Sequence, residues 1–119
     1  MELELRDYSS GDVQDIWNWS PLSTKDVFFQ LTIEIGESGK KGGHLFQLVV
    51  ATPEGLREFT KKHPGHEFPD RALLVFSEYT FDSLTKRIGK ILSHCSRDTW
   101  DKSIGCLRRY FDWEYEDYN

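Results

Sequence analysis

Carboxylates are the side chains best placed to do chemistry in this chain, and they gather at its C-terminal end, where residues 111–119 read FDWEYEDYN. Two nearby carboxylates can serve as general acid and general base, but that work needs one pair set apart in a cleft. Here Asp112, Glu114 and Glu116 recur at every second position, with Phe111, Trp113 and Tyr115 between them and Asp117 following. That is the period of an extended strand with rings on one side and acids on the other. The spacing predicts a docked strand in which Phe111, Trp113 and Tyr115 face the core and the acids face outward. Like charges along one strand face repel one another. Either the face is simply solvated, or it is shaped for a basic partner.

Other chemistries fail on spacing. His63, His66 and Glu67 lie around Pro64-Gly65, which breaks any helix and denies the two imidazoles the i, i+4 geometry of a zinc site. The stretch GESGKKGG from Gly36 to Gly43 lacks the four intervening residues and the GK[ST] ending of a phosphate loop. Cys95 and Cys106 match no metal or redox spacing, and both are read as small buried hydrophobes in a reducing compartment. No catalytic, cofactor or metal residue is assigned, and the chain is expected not to be an enzyme.

The elements that must position the acids follow from periodicity. Leu3 and Leu5 alternate with Glu2, Glu4 and Arg6, a short strand from Met1 to Asp7 with the same outward acids. If the two ends pair antiparallel, Glu2 and Glu4 join the C-terminal acids in a strip two strands wide. Asp12 to Ser20 carries Ile16, Trp17 and Trp19 in a short helical or irregular segment before Pro21. Its tryptophans read as a lid on the sheet edge or as an exposed anchor for a partner. Val27 to Glu34 and His44 to Thr52 alternate around the glycine-rich turn and form a hairpin. Thr52-Pro53-Glu54 opens a helix with a hydroxyl cap, a proline in the first turn and an acid at the positive end. Arg71 to Ser77 is a nearly unbroken apolar run, expected mid-sheet. Leu84, Ile88, Ile91, Leu92 and Cys95 make one helical stripe, and Trp100, Ile104, Leu107 and Phe111 make another. Gly89 and Gly105 weaken those helices, for which close helix packing is the expected compensation.

Strands predominate early and helices late, which predicts an α+β fold: a mainly antiparallel sheet of about five strands with helices packed on one face. At 119 residues the chain is one domain, 1–119, and its 14% aromatic content supplies much of a core. A net charge of -5 excludes the basic face that a nucleic-acid binder presents to phosphates. No apolar run approaches a membrane span, and no signal peptide opens the chain, so a cytoplasmic protein is expected. The outward acids Asp112, Glu114, Glu116 and Asp117 are the first candidates for partner binding, with Glu2, Glu4, Trp17 and Trp19 ranked below them.

Several features then align with one family. They are the short charged first strand, the glycine-flanked hairpin Phe28 to Val50, the Thr52-Pro53 helix start and Phe76 to Tyr79 leading into a helix. Cys95 followed by Trp100, and the closing Trp113-Glu114-Tyr115-Glu116-Asp117-Tyr118, complete the set. In their order and spacing they resemble the immunity protein 8 family of bacterial polymorphic toxin systems, with Tyr115 standing where the family is expected to carry phenylalanine. The resemblance implies a small cytoplasmic α+β protein, without catalysis or cofactor, that binds the secreted toxin encoded by a neighbouring gene. An acidic surface suits a basic toxin such as a nuclease. The alternative is a non-catalytic structural or regulatory adaptor for some other protein.

Overall fold

The computed structural model describes residues 1–68 and 71–115. Among them the strands are β1 (Leu3–Ser9), β2 (Phe28–Glu37), β3 (His44–Ala51), β4 (Leu73–Val75) and β5 (Asp112–Trp113), and the helices are α1 (Pro53–Lys62), α2 (Phe81–Cys95) and α3 (Trp100–Leu107). The fold is α+β, as expected. Strands β1, β2 and β3 run antiparallel in that order, and the far edge of β3 is shared by β4, which is parallel to it, and β5, which is antiparallel.

The alternation of β2 and β3 fixes this sheet. Phe29, Leu31, Ile33 and Ile35 are buried, as are Phe46, Leu48 and Val50, and the register pairs Phe29 with Val50, Leu31 with Leu48 and Ile33 with Phe46. A one-residue slip would turn both rows to water, and each such side chain contributes about 1.5–3 kcal/mol when buried. The α2 stripe Leu84, Ile88, Ile91, Leu92 and Cys95 is buried against this inner face, together with Ile104, Leu107 and Phe111. Helix α1 caps the end of the sheet. Thr52 Oγ1 accepts from Gly55 N–H and Val27 N–H and donates to the Lys25 carbonyl, and Phe59 stacks on Phe28 with ring centroids 4.1 Å apart.

Five expectations are corrected. The run 71–77 is not mid-sheet: only Leu73–Val75 forms a strand, at the edge, with Val75 exposed. Its unbroken hydrophobicity hid an alternation in which Ala72 and Leu74 point inward. Among the described residues the two chain ends do not pair, because each strand finds an apolar row elsewhere, β1 on β2 and β5 on β3. The C-terminal strand is confined, among the described residues, to Asp112–Trp113, and Tyr115 is 43% exposed rather than in the core. Gly89 and Gly105 meet no neighbouring helix, since a Cβ at either would have nothing within 4 Å. Cys95 and Cys106 are buried but are joined as a disulfide between α2 and α3, with Cα atoms 5.3 Å apart. They stand 11 positions apart in sequence, and only the packing of two helix ends brings them together.

Candidate interaction face

Helices α2 and α3 cover one face of the sheet, α1 packs on Phe28 at one end of the other, and the rest of that second face is open, since the alternation that buries one row exposes the next. From β2 and β3 the open face carries Gln30, Thr32, Glu34, Leu45, Gln47 and Val49, all exposed or half-buried. On β1, Leu5 pairs with buried Ile35 and Tyr8 with buried Ile33, so Glu4, opposite Gly36, and Asp7, opposite Glu34, stand on the open face. At the other edge Asp112 pairs with Gln47 and shares that face. Glu4 and Asp7 from one end and Asp112 from the other therefore lie on one surface, with the hairpin between them instead of side by side.

Their partners differ. Asp112 is half-buried and its Oδ1 lies 2.6 Å from Arg71 Nη1, which also donates to the Phe111 carbonyl at 3.0 Å. Glu114 accepts the Leu45 N–H at 2.7 Å, so it serves partly as a clasp for the tail. Glu4 lies 3.9 Å from Arg6. A bulge between Leu5 and Asp7 sets Arg6 over Gly36, where its guanidinium donates to the Glu37 carbonyl at 2.8 Å and to that of Lys40. Any Cβ at Gly36 would fall 2.9 Å from that guanidinium. Arg6 thus holds the turn, leaving Asp7 and Glu34 as a cross-strand pair with no cation paired to either among the described residues. Glu2 is exposed just ahead of β1, and Glu116 and Asp117 lie outside the described residues.

The tryptophans belong to a different edge. Trp19 packs edge-on against Phe29, its centroid 5.4 Å away, and tilts onto Tyr79. Trp17 meets Tyr8 and Phe81 but stays 52% exposed. They do close the sheet edge, and Trp17 leaves part of its ring to solvent. Beneath them burial pushes the Tyr8 phenol up from 10.0 to about 12, with Tyr79 adding to the shift, and burial raises Tyr79 as well. The tail is fixed by another aromatic group. Trp113 Nε1 donates to His44 Nδ1 at 3.0 Å, the two rings lie within 8° of parallel, and Trp100 meets His44 edge-on.

Sequence reading missed Asp7 and Glu34. Both were visible as the polar members of alternating strands, but only the register makes them neighbours. His63 and His66 pack on Phe59, and among the described residues no group of three or more His, Cys, Asp or Glu is placed to hold a metal. No helix among those residues is long and apolar enough to cross a membrane.

No curated protein and no solved structure matches the chain. The model of the family described as immunity protein 8 matches residues 3–118. That match runs from the first residue of β1 through β5 and into the C-terminal acids, and the chain belongs to the immunity protein 8 family.

Proposed function

We propose that the protein neutralises a cognate secreted toxin by stoichiometric binding through the open face of its sheet, inside the cell that makes both, and that it makes and breaks no bonds. The observation that carries the reading is the uncompensated cross-strand pair Asp7 and Glu34 on the part of this sheet face that no helix covers. Directly opposed like charges destabilise a sheet, and a basic partner turns that cost into attraction. Glu114 extends the surface, as do Glu4 and Asp112 beside Arg6 and Arg71, with Glu2 ahead of β1 and Trp17 and Trp19 at a neighbouring edge; Glu116 and Asp117 stay candidates from the sequence alone. A toxin that grips phosphates, such as a nuclease, offers the complementary charge, and charge complementarity chiefly raises the association rate and selects the partner.

The test is co-expression with the product of the neighbouring toxin gene. A one-to-one complex and rescue of growth are expected, with Asp7→Lys/Glu34→Lys losing both while remaining folded. A toxin that stays lethal and never co-purifies with the wild-type protein overturns the reading, and stable capture of an unrelated host protein instead would favour an adaptor.

A further inference from the structure

Beside the open face, a cleft of about 620 Å³ runs between the start of β2 and helix α1. Helical spacing builds one wall: Gly55, Glu58, Phe59 and Lys62 fall at i, i+3, i+4 and i+7 of α1 and all line the cleft. Asp12, Asp26 and Phe28 line the other side. The two walls can approach this closely because residue 55 is glycine. A Cβ there would sit 1.8 Å from the Val27 carbonyl oxygen.

Two independent features of the lining select the same guest. The first is a column of flat rings: Phe28 stacks on Phe59 within 13° of parallel, and His63, also in the lining, stacks on Phe59 at 4.2 Å. The second is charge. Asp26 makes no side-chain hydrogen bond or ion pair among the described residues, and Asp12 uses one oxygen to accept the Gln30 N–H at 2.8 Å. Glu58 also lines the cleft, its carboxyl held below the ordinary range by a hydrogen bond from Lys61 that shares its charge, so Asp26 and Asp12 carry most of the charge open to a guest. Carboxylates repel an anionic guest, and no three of the described acids or histidines converge to hold a metal. Flat rings beside separated carboxylates suit a cation that is itself planar and donates in several directions. Guanidinium has those properties, whereas ammonium is a compact point charge.

We infer that this cleft is a receptor for an arginine side chain of the partner protein. Its bearer is the toxin only if the reading above holds; the recognition chemistry is independent of that reading. Lys62 is the one cation in the lining, and it competes with the guest.

The probe is Nα-acetyl-arginine methylamide, titrated into the full chain and followed by amide chemical shifts. Saturable shifts are expected at Asp26, Phe28, Gln30 and Glu58, weaker ones with the lysine analogue, and none with the uncharged citrulline analogue. Asp26→Asn/Glu58→Gln, which removes no side-chain contact from the core, is expected to weaken binding by roughly tenfold, and Lys62→Ala to strengthen it. Equal shifts with citrulline, or shifts scattered over distant acids such as Glu4 and Asp101, would overturn the inference, as would weaker binding in Lys62→Ala. No toxin enters the titration. Its failure therefore leaves the immunity reading standing, and failure of the toxin complex leaves the arginine cleft standing.

Discussion

Two phenols show how a single buried group governs behaviour far from neutral pH. Tyr8 and Tyr79 are 5% and 1% exposed, and neither hydroxyl has a hydrogen-bond partner among the described residues. The unfolded chain sheds the Tyr8 proton near its ordinary value of 10.0, whereas the folded chain keeps it to about 12. Across that window the unfolded state binds fewer protons, so stability falls as pH rises. The contribution is whole below the lower value and lost above the upper one, and it amounts to about 2–3 kcal/mol. Urea unfolding on the alkaline side should show this fall in the wild type and a shallower one in Tyr8→Phe. At neutral pH the same substitution should be neutral or slightly stabilising, since it removes a hydroxyl with no partner. Superimposable alkaline profiles would mean that Tyr8 does not titrate in this way.

Glycine in a helix has opposite consequences in α1 and α2. Alanine at position 55 would drive its Cβ into the Val27 backbone, and because backbone cannot step aside as a side chain can, Gly55→Ala should cost about 3 kcal/mol. Alanine at position 89 would meet nothing within 4 Å, and Gly89→Ala should stabilise by about 0.5–1 kcal/mol through helix propensity alone. Chemical denaturation of the two variants checks both signs. The contrast also marks what was legible at this scale. The buried set Leu84, Ile88, Ile91, Leu92 and Cys95 was written in the sequence, because a period of 3.6 is a property of one segment. That stripe already placed Gly89 about a quarter-turn outside it, so close packing there was never required. The rows of β2 and β3, and the cap at Thr52, were legible for the same local reason. The edge position of β4 and the shortness of β5 were not, because which strand a segment pairs with depends on competition among distant rows. The Cys95–Cys106 bond was hidden likewise, since it needs the end of α2 and the last turn of α3 to meet.

Across the whole molecule the charges divide by layer. On the helices, acids are largely matched by bases one turn away, as in Glu54–Arg57, Glu58–Lys61 and Asp82–Lys86, and Asp98 just ahead of α3 meets Lys102, while Arg87 and Lys90 on α2 pair with no carboxylate among the described residues. The open sheet face keeps Asp7 and Glu34 uncompensated. On the proposed reading, these two carboxylates give the open face its negative potential within a chain of net charge -5. A basic partner would then be turned before contact to meet the sheet first, with steering that weakens as salt shortens the screening length to about 10 Å at 0.1 M. Partial neutralisation by Asp7→Asn/Glu34→Gln should then have two effects of opposite value. The free protein gains about 0.2–1 kcal/mol from relief of the cross-strand repulsion. Association with the toxin slows by roughly tenfold at low ionic strength, the difference fading at high salt while dissociation changes less. Denaturation of the free protein and stopped-flow mixing with the toxin measure the two effects separately. A variant that is more stable yet associates as fast as wild type would place the interface elsewhere, and one that is no more stable would mean that the two carboxylates are already neutralised in the folded protein.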